Sequence, residues 1–238
     1  MIDAVVFDFD GTLADTRDAV IVTVEQTLRE FSVPVVDPDT IAGSMGLPLE
    51  HTFQVAGVRP ELLAEAVRRY RERFPANSGH IALFPGVESV LHDLSAASMP
   101  ITVASSRGRQ SLLELLGRLN IRPLFSEVLG EQDVERKKPA PDLVFALSRA
   151  LGVAPSRMLV VGDTTYDIVM GRAAGSHTCA VTYGSHDVAR LRSADPTWLI
   201  DSFAELRAIL TFANDSSSVV ECLRGSDGGG EQEPRRGS

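Results

Sequence analysis

Residues 4–12 read AVVFDFDGT, a β-prone apolar run that ends in the turn pair Asp10-Gly11. Alternation along a strand places the side chains of Asp8 and Asp10 on the same face. Two carboxylates that lie so close repel each other unless a cation or a proton compensates them. A plain Asp-Gly turn would explain the end of the run, but it leaves a costly carboxylate at Asp8 within an apolar strand.

Five further short apolar runs follow along the chain, and helical patterns lie between them. Continuously apolar runs are typical of strands that are covered on both faces. The alternation predicts an α/β fold with a Rossmann-like, mostly parallel sheet flanked by helices. Such folds bind ligands at the carboxyl ends of their strands. The five runs are residues 100–104, 125–129, 158–161, 177–183 and 198–200.

The connection between the first two predicted strands is too long for a simple crossover, which takes about 30 residues. The additional residues of this connection have helical patterns at 18–31 and 61–74, with prolines between and after them. We therefore predict an all-helical cap domain at 15–82, inserted into a core domain formed by 1–14 and 83–213. A cap in this position can act as a lid. Residues 214–238 are rich in Gly and Ser and predict a disordered tail.

Three more motifs follow later strands: Ser105-Ser106, Lys138-Pro139 and the segment from Gly162 to Asp167. Each has an ordinary explanation, because the serines and Asp163 could cap helices and Lys138 could belong to a solvated basic run. Together, however, the motifs place carboxylates, a lysine and hydroxyls at one edge of the sheet. Asp163 and Asp167 lie one helical turn apart and can point at one place. Such a set predicts a hard cation with oxygen ligands, naturally Mg²⁺, and a receptor for a phosphoryl group.

As an ordered set, DFDGT, the serine after the second strand, KKPAPD and GDTTYD closely resemble the four signatures of the haloacid dehalogenase superfamily of phosphohydrolases. The helical insertion resembles the small-cap branch, which includes phosphoglycolate phosphatase and β-phosphoglucomutase. The resemblance covers residues 1 to about 212. It implies an Mg²⁺-dependent phosphatase that hydrolyses small phosphomonoesters through an aspartyl-phosphate, similar to phosphoglycolate phosphatase. A phosphosugar mutase and an inorganic pyrophosphatase are alternatives, and a receiver-like phosphoaspartate signalling module is the alternative from another class.

The resemblance also implies roles for the acidic residues. Asp8 would be the nucleophile, and Asp10 would donate and then accept a proton, which requires a raised pKa that neighbouring carboxylates can provide. Mg²⁺ would be held by Asp8, the backbone carbonyl of Asp10, and Asp163. Asp167 would support the metal's water ligands or orient Lys138.

The remaining implied roles concern the phosphoryl group. Ser105 and Lys138 would hold its oxygens. Ser106, Gly11 and Thr12 would supply further substrate contacts, in part through backbone amides.

Several other residues receive weaker predictions. Residues 43–48 resemble a cap loop that faces the substrate, although an interhelical turn is an equal alternative. Arg17 and Arg107 could contact an anionic part of a substrate, but we expect both to be solvated. Trp198 is predicted to lie in the core. No role is assigned to the histidines, His51, His80, His92, His177 and His186.

The composition restricts the partners. The 238 residues carry 23 Lys and Arg against 32 Asp and Glu, a net charge of −9. This balance disfavours nucleic acid or an anionic membrane as the main partner, so we expect a small phosphorylated metabolite. No apolar run approaches a membrane span, and the start has no signal-peptide pattern. Cys179 and Cys222 cannot form a disulfide scaffold, so we expect a cytoplasmic protein. We further expect a monomer or homodimer.

Overall fold

The main sheet consists of six parallel strands. A computed structural model describes residues 1–211, so the predicted tail and Cys222 lie outside the described residues. The strands of the main sheet run in the order β5-β4-β1-β6-β7-β8, and each neighbouring pair is parallel. The predicted Rossmann-like sheet is therefore confirmed. In chain order the strands are β1 (Ala4–Phe7), β2 (Ala14–Asp15), β3 (Ala82–Leu83), β4 (Ile101–Ala104), β5 (Glu127–Leu129), β6 (Met158–Gly162), β7 (His177–Val181) and β8 (Trp198–Ile200).

Helices cover both faces of the sheet. Alternation along β1 directs Val5 and Phe7 towards the apolar faces of α5 and α6, and Ala4 and Val6 towards α7 and α8. Burial on both faces explains why the strand sequences are continuously apolar. The helices are α1 (Arg17–Glu30), α2 (Pro38–Ala42), α3 (Leu49–Val55), α4 (Leu63–Asn77), α5 (Val87–Ala96), α6 (Arg109–Arg118), α7 (Asp142–Leu151), α8 (Thr165–Ala174) and α9 (Val188–Ser193), and residues 206–211 are also helical.

The strand order creates a switch point beside β1. The chain passes from β1 to β4 and β5 on one side, and then crosses to β6, β7 and β8 on the other. Crevices that bind ligands form at such points, outside the carboxyl ends of the strands. The loops after β1 and β6 carry the DFDGT and GDTTYD motifs, so the topology brings these two motifs together.

The chain enters and leaves the inserted helices through a small antiparallel ribbon. Strands β2 and β3 pair Ala14 with Leu83 and Asp15 with Ala82, and α1 to α4 lie between them in the chain. This ribbon lies at the predicted limits of the cap, whose treatment as a domain at 15–82 stays a prediction. We call the residues from 15 to 82 the cap and the rest the core.

Two element boundaries differ from the prediction for local reasons. β1 ends at Phe7 rather than at Phe9, because the Phe9 carbonyl accepts hydrogen bonds from the backbone of Leu13 and Ala14 at 3.0 and 3.1 Å. Helix α4 continues through Pro75 to Asn77, since a proline in the last turn removes only one helical hydrogen bond.

Other predictions for the core concern single residues. Cys179 is a buried free cysteine, as expected. Trp198 is half-buried and packs against the core. Among residues 1–211, no helix combines the length and apolarity needed to cross a bilayer.

Candidate active site

The loop after β1 places the first two aspartates differently. Asp8 is buried, and its backbone amide donates to the carbonyl of Val161 at 2.9 Å. The loop then turns at Gly11, whose φ of +80° favours glycine. A Cβ at Gly11 would overlap the side chain of Asp163. The tight turn therefore lets the β1 loop approach the carboxylate that follows β6.

Lys138 enters the site from the loop before α7. Its Nζ donates to Oδ1 of Asp8 at 2.7 Å and to Oδ1 of Asp167 at 2.6 Å, and its side chain is fully buried. Burial lowers the pKa of Lys138, but Asp167 and Asp8 outweigh this effect and raise it above its ordinary value. The ammonium is therefore charged. The alternative of a solvated basic run is wrong for Lys138 and fits its neighbour Lys137, whose side chain is 36% exposed.

Two carboxylates follow β6. Asp163 accepts from the Thr12 hydroxyl at 2.9 Å and from the Ser185 backbone at 2.7 Å. Asp167 accepts from the hydroxyl and the backbone of Thr164, at 2.6 and 3.1 Å. Thr164, not Asp163, caps α8, so the capping explanation of Asp163 is wrong.

Three of these carboxylates form a cluster that fits a metal ion. One oxygen each from Asp8, Asp163 and Asp167 lie within 4.8 Å of one another, and all three residues are buried. Burial raises the pKa of Asp8, although Lys138 partly offsets it. Burial and then Asp167 raise the pKa of Asp163 to about 6. A hard divalent cation would relieve this excess of negative charge, and its preferred ligands are such oxygens.

The carboxylate of Asp10 is held outside that cluster. It accepts from Nη2 and Nε of Arg107 at 2.6 and 3.0 Å and from the Thr16 hydroxyl at 2.6 Å. Burial alone would raise the pKa of Asp10, but Arg107 and Thr16 outweigh it and lower the pKa below its ordinary value. The raised pKa predicted for Asp10 is therefore wrong for this conformation.

Arg107 is a site residue that the sequence analysis underrated. Its side chain is only 8% exposed, and its guanidinium carbon lies 4.2 Å from the ring centroid of Phe74 in the cap. The expectation of a solvated residue is wrong for Arg107. It holds for Arg17, which forms an exposed pair with Asp39. Its position directly after the serine motif at the end of β4 indicates that Arg107 lies near the site, but not that it is buried.

The second of the two serines connects the core to the cap. The hydroxyl of Ser105 accepts from the Arg107 backbone at 3.1 Å, and that of Ser106 donates to the Gly46 carbonyl at 2.6 Å. Helix α6 is capped by Gly108, so neither serine has the capping role that was considered. Gly46 belongs to the predicted cap loop, which therefore reaches the edge of the sheet.

The backbone amides of Gly11 and Thr12 donate hydrogen bonds within the loop after β1. The Gly11 amide donates to Ala14 at 2.9 Å, and the Thr12 amide donates to Phe9 at 3.4 Å. Their contact with a phosphoryl group stays a prediction. The structure adds a different contribution, since the Thr12 hydroxyl positions Asp163.

Of the histidines, one lies beside the site. His186 is buried, and its Nδ1 accepts from the backbone of Thr165 at the start of α8, at 3.0 Å. Its own backbone donates to the Asp163 carbonyl at 3.3 Å. These contacts fix the loop that carries Asp163.

The fold and the site together define an α/β enzyme with a buried acidic cluster at the switch point of a parallel sheet and a helical insertion above it. The model of the haloacid dehalogenase-like hydrolases matches residues 5–181, and the chain belongs to that family. The predicted superfamily and the prediction of an enzyme are confirmed. The receiver-like alternative is excluded by this membership.

Curated proteins and solved structures resemble the chain over most of its length. A probable phosphatase, IndB of Dickeya dadantii, is 36% identical over 211 residues, which cover 85% of this chain and 90% of that protein. A phosphoglycolate phosphatase of Salmonella choleraesuis is 28% identical, covering 92% and 97%. The crystal structure of a predicted phosphoglycolate phosphatase from Haemophilus somnus has a TM-score of 0.82 and covers 88% and 98%. Its identity of 24% makes this a likeness of fold.

Proposed function

We propose that the protein is an Mg²⁺-dependent phosphatase that hydrolyses small phosphomonoesters through an aspartyl-phosphate on Asp8, in the manner of phosphoglycolate phosphatase. The observation that carries the proposal is the buried Asp8 carboxylate, held by Lys138 at 2.7 Å inside an acidic cluster. The similarity to proteins named phosphatases supports the same reaction.

Asp8 acts as the nucleophile in the first step. Lys138 holds its Oδ1, which leaves Oδ2 to attack phosphorus. The bond between Oδ2 and phosphorus forms while the ester bond from phosphorus to the leaving oxygen breaks. Asp10 donates a proton to that oxygen, and the alcohol leaves.

A water molecule completes the second step. Asp10, now ionised, accepts a proton from the water as its oxygen attacks phosphorus. The bond from phosphorus to Asp8 breaks, phosphate leaves, and the Asp8 carboxylate is regenerated. Lys138 and Ser105 hold the oxygens that gather charge in both transition states. Ser106 keeps the cap loop in place through its contact with Gly46.

The acidic cluster would hold the metal ion through Asp8 and Asp163, with the backbone carbonyl of Asp10 as a third protein ligand. When bound, Mg²⁺ neutralises charge on the phosphoryl oxygens. Asp167 contributes by orienting Lys138, to which it lies at 2.6 Å. A small phosphorylated metabolite as partner and a cytoplasmic location complete the proposal.

The decisive experiment replaces the nucleophile. Asp8→Asn keeps the side-chain shape and removes the attacking carboxylate, so we expect phosphate release to fall at least about a thousandfold, equivalent to about 4 kcal/mol of transition-state stabilisation. The measurement is phosphate release from p-nitrophenyl phosphate, with and without Mg²⁺. Asp18→Asn, at an exposed position of α1, is the control and keeps full turnover. Wild-type turnover in Asp8→Asn would eliminate the mechanism.

A further inference from the structure

The cavity between cap and core is large for a two-carbon ester. Its volume is about 970 Å³, and Asp8, Asp10 and Ser105 line it together with residues of the cap. Pockets of about 300–1,000 Å³ hold drug-sized organic ligands. A phosphoryl group placed at Asp8 therefore leaves most of this volume for the organic part of the substrate.

The lining of the cavity contains apolar side chains from both the cap and the core. Leu47 and Leu49 come from the cap, and Leu113 comes from α6 of the core. All three are half-buried, so they keep apolar surface that a ligand can cover. Tyr70 and Phe74 of α4 also line the cavity. Covering apolar surface stabilises a bound ligand.

The cationic side chains that line the cavity already have anionic partners. Arg107 pairs with Asp10 at 2.6 Å. In the same way Arg71 pairs with Glu131 at 2.6 Å and Arg109 with Asp133 at 3.0 Å. Among the described residues that line the cavity, every guanidinium therefore already has a carboxylate partner, with which a second anionic group of a substrate would have to compete.

Five carboxylates and three guanidiniums line the cavity. Besides the three carboxylates that pair with arginines, these include Asp8 and Glu114. Lys138 compensates Asp8, and Lys137 also binds Glu131. A carboxylate or second phosphate on the substrate would have to displace one of these carboxylates from its cation and would lie beside like charges, which is unfavourable.

We propose that the enzyme acts on monophosphate esters whose organic group is uncharged, ring-sized and largely apolar, rather than on esters with a second anionic group such as phosphoglycolate. This inference rests on the proposed phosphatase function and specifies its substrate class. The phosphoryl group lies at Asp8, and the organic group lies against Leu47, Leu49 and Leu113.

Two substrates that differ by one carboxylate test the inference directly. Benzyl phosphate and 4-carboxybenzyl phosphate have the same type of leaving oxygen and nearly the same size. We expect kcat/KM for benzyl phosphate to be at least about tenfold higher, mainly through a lower KM. An equal or reversed preference overturns the inference. Failure to hydrolyse any ester, including p-nitrophenyl phosphate, would instead contradict the proposed function.

A variant of the apolar lining makes the test independent of the substrates' own reactivity. Leu113→Lys places a cation in the cavity, so the preference for benzyl over 4-carboxybenzyl phosphate falls by at least about tenfold. Leu119→Lys is the matched control, since Leu119 is a half-buried leucine at the end of the same helix but outside the cavity. It leaves the preference unchanged.

A second variant tests the inference if Leu113→Lys does not fold. Leu113→Ala removes apolar contact, raises KM for benzyl phosphate roughly tenfold and leaves kcat within about twofold. Thermal unfolding shows that each variant is folded before its kinetics are compared. Folded Leu113 variants with wild-type KM and wild-type preference overturn the inference.

Discussion

Replacing Lys138 by methionine tests how the acidic cluster is stabilised. The ammonium lies 2.7 Å from Asp8 and 2.6 Å from Asp167, and the side chain has no exposed surface. Lys138→Met keeps most of the side-chain volume and removes the charge. Three buried carboxylates, with Asp163 as the third, then lie within 4.8 Å of one another without a compensating cation.

The expected loss of stability follows from these contacts. Removing one partner of a buried ion pair costs about 3–5 kcal/mol, and here one ammonium serves two carboxylates. We therefore expect Lys138→Met to lower the free energy of unfolding by about 4 kcal/mol at pH 7 without metal. The neighbouring variant Lys137→Met is the control. Lys137 is 36% exposed and lies 3.1 Å from Glu131, which Arg71 also binds, so its loss costs about 1 kcal/mol or less.

The pH dependence of this loss has a definite sign. The pKa of Asp163 is raised from its ordinary 3.8 to about 6, and that of Asp8 is also raised. The folded state therefore binds protons on Asp163 and Asp8 more tightly than the unfolded state does. This proton binding stabilises the folded state at low pH, and the stabilisation is lost as the pH rises from about 4 to about 6. Lys138 lowers the pKa of Asp8, so without it the cluster takes up protons at still higher pH, and the deficit of Lys138→Met is smaller at pH 5 than at pH 7.

Urea unfolding monitored by circular dichroism measures each difference. The series covers the wild type, Lys138→Met and Lys137→Met at both pH values, with EDTA or with Mg²⁺. Mg²⁺ recovers part of the stability lost in Lys138→Met, because it supplies the positive charge that is missing. Equal losses for the two variants at pH 7, or a larger Lys138→Met deficit at pH 5, would refute this account of the cluster.

Two further predictions concern catalysis. Asp163→Asn removes a charge from the proposed metal site, so the Mg²⁺ concentration for half-maximal turnover rises at least about tenfold; an unchanged Mg²⁺ titration contradicts the assigned role. Arg107→Gln removes the guanidinium that lowers the pKa of Asp10, so the high-pH limb of kcat/KM, where Asp10 loses the proton that the first step needs, moves to higher pH by roughly one to three units. A limb that stays in place shows that Asp10 does not control it.

Local sequence pattern was sufficient to predict the sheet and most of the cluster. Strands covered on both faces have continuously apolar sequences, and parallel strands direct their carboxyl ends to one edge. Asp8 and Lys138 are therefore predictable neighbours although 130 positions separate them. The ribbon of β2 and β3 was not predictable, because strands of two residues are too short to have a hydrophobic period.

The environment of Arg107 could not be predicted from local pattern. Its partners come from distant parts of the chain, Asp10 from the loop after β1 and Phe74 from α4 of the cap. A single arginine after a strand has no periodicity that distinguishes a buried ion pair from a solvated side chain. Only the packing of the cap against the core removes Arg107 from water.

The contact between Arg107 and Asp10 favours the second step of the proposed reaction and opposes the first. An ionised Asp10 held by Arg107 and Thr16 is ready to accept a proton from water, which is its task in the second step. Donating a proton to the leaving oxygen requires a protonated Asp10, and the guanidinium opposes that state. The first step therefore requires this ion pair to loosen when the leaving group is a poor one. Since Phe74 and Thr16 belong to the cap, a shift of the cap against the core is the motion that would loosen it.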